Sequence, residues 1–125
     1  MSPFLCQGDW VGVQWTEATS VPGMPGDLVL TRDSSGEFIV HRVVTSALTK
    51  GDHSIVTENF SEKQIWGRIR FLKKGGSSRE ILFHPVAMDR LIANLSFMTS
   101  KTSWPLRALP LRLTLALGFV RRSFL

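Results

Sequence analysis

Over residues 1–72 apolar and polar positions alternate in short stretches parted by turn residues. Val11–Trp15 alternates through Gly12 and Gln14. Asp27–Thr31 (DLVLT) and Glu37–Val44 (EFIVHRVV) are rich in β-branched and aliphatic side chains, and Ile55–Thr57 is a shorter piece. In Ile65–Leu72 (IWGRIRFL) strict alternation predicts one face of Ile65, Gly67, Ile69 and Phe71 and another of Trp66, Arg68, Arg70 and Leu72. Val21–Gly26 (VPGMPG) holds two prolines and two glycines and is predicted as a loop. Asp33-Ser34-Ser35-Gly36 reads as a hairpin turn between the second and third strands. Strands spaced by turns every ~8–12 residues predict a mainly β unit, a small barrel or sandwich.

The pattern changes near Gly75-Gly76-Ser77-Ser78, a flexible break. Residues 80–84 suit one more strand. Pro85 opens a predicted helix over Val86–Met98, whose Met88, Leu91, Ile92 and Leu95 follow helical spacing. Residues 99–105 read as a linker and 106–122 as a second helix punctured by Pro110. The chain therefore divides into a β domain over 1–84 and a helical segment over 85–125.

Composition adds two constraints. At 125 residues, 43% hydrophobic and 20% charged, the chain is one ordinary globular domain. Its single cysteine, Cys6, excludes an internal disulfide and a cysteine-based zinc cluster. Charge is unevenly placed. Residues 1–72 hold six Lys/Arg against eight Asp/Glu, whereas residues 73–125 hold nine against two, with no acid after Asp89. No basic, apolar leader opens the chain, and the longest clean apolar run near its end, Leu115–Val120, is far short of the ~20 residues a membrane span needs. These features do not assign a compartment.

On a helical wheel Arg107, Thr114, Gly118, Arg121 and Arg122 share one side, while Leu109, Leu113, Leu117 and Val120 lie elsewhere and Arg112 breaks the pattern. One reading is an interfacial helix in which residues 104–125 meet an anionic membrane surface. The other is a helix packed over the sheet with arginines at its solvated edge. Nucleic-acid binding is disfavoured, because the arginines are interleaved with leucine and build no aromatic stacking platform.

Two features carry candidate chemistry. A Gly-Asp pair opens a strand three times, at Gly8-Asp9, Gly26-Asp27 and Gly51-Asp52. Glycine supplies a positive φ and aspartate caps the turn, so three turns account for the pattern. His41 is an ionisable group in an otherwise apolar strand that does not need one, and the plain reading is an edge-strand or hydrogen-bonded core histidine. His53 and His84 read as exposed. The spacing of the three histidines matches no metal motif, and neither a metal nor an organic cofactor is implied.

In combination these stretches resemble a known family. MSPFLCQGDWVGV is similar to the box SM-x-P-x-L-x-x-GD-x-V-x-V of the signal peptidase I and LexA-like serine peptidase superfamily. PGDLVLTRDSSGEFIVHRVV looks like its Gly-Asp strand followed by the base-bearing strand, LTKGDHS like its KGD box, and IWGRIRF like the strand V-x-G-x-V that follows. Order and spacing hold from Met1 to about Phe71. The resemblance implies a signal-peptidase-type β-barrel sheet with one or two C-terminal helices, and a serine endopeptidase acting on an extended peptide or protein substrate. His41-Arg42 resembles the histidine-base version. A serine hydroxyl needs a base within reach, and an imidazole titrating near neutrality suits the role. An acid would orient it. Asp52 is one candidate, though it also serves as a turn cap. Glu58 stands about where the histidine-type enzymes carry the orienting acid, though it also reads as a solvated loop acid.

The resemblance also implies a departure. The family nucleophile is the serine directly before the Met of the box, which here is Met1, so that position falls just before the first residue. Ser2 occupies a variable position and, on an extended segment, faces the other way. The 125-residue chain is accordingly expected to lack peptidase activity. The alternative is a non-catalytic peptide-binding or membrane-peripheral scaffold domain.

Overall fold

The computed structural model describes residues 5–15, 23–45, 48–51, 57–59, 64–102 and 108–124. In chain order these form β1 (Trp10–Trp15), β2 (Leu28–Arg32), β3 (Phe38–Thr45), β4 (Leu48–Lys50), β5 (Glu58–Asn59), β6 (Gln64–Lys73), β7 (Ile81–Leu82), α1 (Ala87–Lys101) and α2 (Ala108–Ser123). The strands make one antiparallel sheet in the order β1-β6-β2-β3-β4-β5, and β7 pairs with β6 beyond the end of β2. The fold is therefore mixed α/β, an open antiparallel sheet followed by two helices. This corrects the expected mainly β, barrel-type sheet: β1 pairs only with β6 and β5 only with β4 among the described residues, so the two edges do not meet.

The predicted turn at Asp33–Gly36 joins β2 to β3. Asp33 Oδ1 accepts from the Ser35 N–H, the Ser35 hydroxyl and the Glu37 N–H, and Gly36 takes φ +89°. The short strands β4 and β5 flank the Gly51-Asp52 stretch. The predicted strand at Ile55–Thr57 lies mostly outside the described residues.

The core cluster is Leu28, Leu30, Ile69, Leu72 and Phe83, with Val11, Val13, Val40 and Trp66 packed against it. This corrects the simple alternation expected for β6. Leu72 joins Ile69 in the core, whereas Phe71 is 45% exposed. Two irregularities cause the change. The ladder to β1 skips Arg70, and the ladder to β2 skips Trp66, so each bulge resets which residues face inward. Gly67 sits where a side chain has no room, since a Cβ there would lie 2.5 Å from Val13 Cγ1.

The helices are seated on the sheet. α1 contacts β3, and α2 packs on α1. The Asp89 carboxylate accepts the Val86 N–H at 2.9 Å and so caps the start of α1. Most residues buried by the helices are small, notably Ala93, Ser96 and Thr99 on α1 and Thr114 and Gly118 on α2, which lets backbones approach closely. Pro110 falls in the first turn of α2, where its missing N–H has no intrahelical partner to lose. The wheel is oriented opposite to the packed-helix expectation. The Thr114–Gly118 side turns inward, and Arg121 and Arg122 reach protein carboxylates. Leu109, Leu113, Phe119 and Val120 point outward. Neither helix is long and apolar enough to cross a membrane.

Candidate active site

Adjacent residues of a strand face opposite sides, and β3 uses this to separate His41 from Arg42. Arg42 points toward α1. Its Nη1 donates to the Gly26 carbonyl at 3.1 Å and to Asp89 Oδ1 at 3.3 Å, and both charged side chains are fully buried. Gly26 adopts φ +100°, and a Cβ there would meet the α1 backbone at Asp89 at 3.0 Å, so the loop, the strand and the helix start close on one another. One strand over, Lys50 is also buried and its Nζ donates to Ser96 Oγ at 2.8 Å.

His41 faces the other side of the sheet and is 6% exposed. The register places it opposite Val29, Val29 opposite Arg68, and Arg68 opposite Gln14, so these four share a row and a face. Asp27 belongs to the same face, because its carbonyl accepts the N–H of Val43, two residues along β3 from His41, at 2.9 Å. Asp27 is buried, its Oδ2 accepting from the Met24 N–H at 2.7 Å and lying 3.6 Å from Arg68 Nε. In the sequence this acid reads only as a turn residue.

Glu58 enters through its backbone register: it lies opposite Thr49, and Thr49 opposite Val43. It is thus two strands from β3, level with a residue that neighbours His41 on the same face. Asp52, His53, Met1 and Ser2 lie outside the described residues. His84 is exposed and lines a groove of about 490 Å³ with Phe71, Leu82, Arg70 and Gln14, a lining that does not include His41. Among the described residues no three His, Cys, Asp or Glu side chains converge as metal ligands do.

Two of the Gly-Asp pairs build the same device. In each, glycine has positive φ, +88° at Gly8 and +100° at Gly26. The aspartate N–H donates to the carbonyl three residues back, and its carboxylate accepts that residue's N–H: Asp9 with Cys6, Asp27 with Met24. Each aspartate then takes one distant arginine, Arg122 for Asp9 and Arg68 for Asp27. The Arg122 guanidinium, helped by the Cys6 and Gly75 N–H groups, holds the Asp9 carboxyl well below the usual carboxylate range despite burial. The Arg122 value rises correspondingly through the same hydrogen bond.

No protein-family model, curated protein or solved structure matches this chain.

Proposed function

We propose that this chain is the β unit of a signal-peptidase-type serine endopeptidase acting on extended peptides. His41 is the general base and the residue preceding Met1 is the nucleophile. The observation that carries the reading is His41 itself, an ionisable ring held in an apolar strand beside a buried, ion-paired Arg42. The paired Gly-Asp turns support it further, since they start β1 and β2 in the order the resemblance implies. Glu58 is proposed as the orienting acid on the strength of its register, with Asp52 the other candidate. A substrate would bind as an added strand, with backbone hydrogen bonds giving affinity and shallow pockets giving selectivity. The test is a form extended by Ser and a few upstream residues, assayed on extended peptides with small side chains. Cleavage that needs the added Ser and His41 supports the reading, and a folded, extended protein that cleaves nothing overturns it.

A second reading, a membrane-peripheral scaffold, is favoured by the outward face of α2. Leu109 (66% exposed), Leu113, Phe119 and Val120 form an apolar stripe with exposed Arg112 beside it. The absence of acids after Asp89 makes an anionic bilayer the complementary partner.

A further inference from the structure

The last turn of α2 reaches two acids from adjacent positions. Arg121 Nε donates to Asp89 Oδ2 at 3.1 Å, joining the Arg42 pair beside the candidate base. Arg122 meets Asp9 with both terminal nitrogens, Nη1 on Oδ2 and Nη2 on Oδ1 at 3.0 Å. The same carboxylate accepts the Cys6 N–H and the Gly75 N–H, each at 2.9 Å. Four hydrogen bonds fill the lone-pair sites a carboxylate offers. Asp9 thereby ties three segments together: its own turn, the β6–β7 connection and a helix 113 residues further on. The fit is close. A Cβ on Gly75 would lie 2.9 Å from the Gly8 carbonyl oxygen. The twin turn at Asp27 draws its arginine from within the sheet, so the long reach to α2 is not needed merely to close a Gly-Asp turn.

We infer that Arg122 is a positioning residue: through Asp9, the C-terminal helix fixes the turn that continues the nucleophile-bearing box. The inference rests on the peptidase reading for its catalytic consequence, but not for its structural one. A carboxylate without its bidentate partner loses charge-assisted bonds, and the Cys6–Asp9 turn loosens. The base side is held separately, through Arg121, Asp89 and Arg42. The two arginines thus divide the candidate site between them, and the helical segment is part of the catalytic unit.

The experiment uses Cys6, the chain's sole cysteine and only partly buried, as a native reporter of the turn. In the 125-residue protein, Arg122→Gln is expected to speed Cys6 alkylation by about tenfold, the order set by loss of hydrogen bonds to a charged group. Amide exchange should rise at Cys6 and Gly75 and stay unchanged at Met24 in the twin turn. Arg122→Lys, which keeps the charge and folds if the glutamine variant does not, should recover part of both effects. In the Ser-extended protein the same substitution should lower kcat with little change in KM. Unchanged Cys6 and Gly75 behaviour overturns the inference, as does equal loosening at Met24, which would mark general destabilisation. An extended wild type with no activity defeats the peptidase reading alone, and the alkylation and exchange data still decide whether Arg122 holds the turn.

Discussion

Arg42 and Asp89 form an ion pair at 3.3 Å with neither side chain exposed to water, and it joins β3 to the first turn of α1. Two buried charges of this kind do little for net stability compared with an apolar pair, but removing one strands the other. Asp89→Ala is expected to destabilise the protein by about 3–5 kcal/mol, because Arg42 and Arg121 lose their carboxylate and Val86 its cap acceptor. Urea denaturation measures this. A loss below about 1 kcal/mol, the size of an exposed pair, would show that the pair is solvated.

The Asp9 carboxyl has a folded-state value below its unfolded one. Its ionised form therefore stabilises the fold fully above the unfolded value of about 4, and the contribution is lost as pH falls through the depressed folded value. The stability gap between wild type and Asp9→Asn should be constant from pH 7 to about pH 5 and narrow steadily below about pH 4. Thermal melts across that range check it. A gap that widens on acidification would reverse the sign and contradict the Arg122 pairing.

Gly67 is fixed by space and not by backbone angle. Gly67→Ala would press a methyl group against Val13 Cγ1 and the Gln14 carbonyl. The expected cost is about 1–3 kcal/mol, the range for overpacking. Gly76→Ala meets nothing within 4 Å, and its cost should reflect only its φ of +78°. Chemical denaturation of the two variants separates the causes, and a neutral Gly67→Ala would show that the β1–β6 register differs.

Much of the strand layout was legible because turn chemistry is local. Asp33 and Gly36 specify their hairpin by themselves, and so do Gly8-Asp9 and Gly26-Asp27. The faces of β6 were not legible. A bulge is set by pairing with two different neighbours, and nothing in IWGRIRF says that Trp66 and Arg70 are the extra residues. Sheet closure was likewise hidden, since edges are decided by long-range pairing. His41 stood out as an ionisable group in an apolar strand. Asp27 did not, because a turn cap and a buried acid look alike in sequence. The C-terminal arginines pointed toward solvent on the wheel until Asp9 and Asp89 were placed opposite them.

The outward face of α2 gives a separate expectation. Leu109→Ser with Phe119→Ser should reduce co-sedimentation with anionic vesicles several-fold while leaving the melting temperature nearly unchanged, since both side chains are more than half exposed. Equal binding by wild type and variant, or equal binding to neutral and anionic vesicles, would show that this face does not dock on an anionic membrane.

In the proposed peptidase reading, His41 serves a serine placed directly before Met1. The most direct measurement is labelling by a serine-reactive phosphonate probe, followed by mapping of the modified residue. The Ser-extended protein is expected to label at that serine, with labelling abolished in a folded His41→Gln variant and absent from the 125-residue form. Labelling that persists at full rate in the His41→Gln variant, or that maps to Ser2, would contradict the assignment.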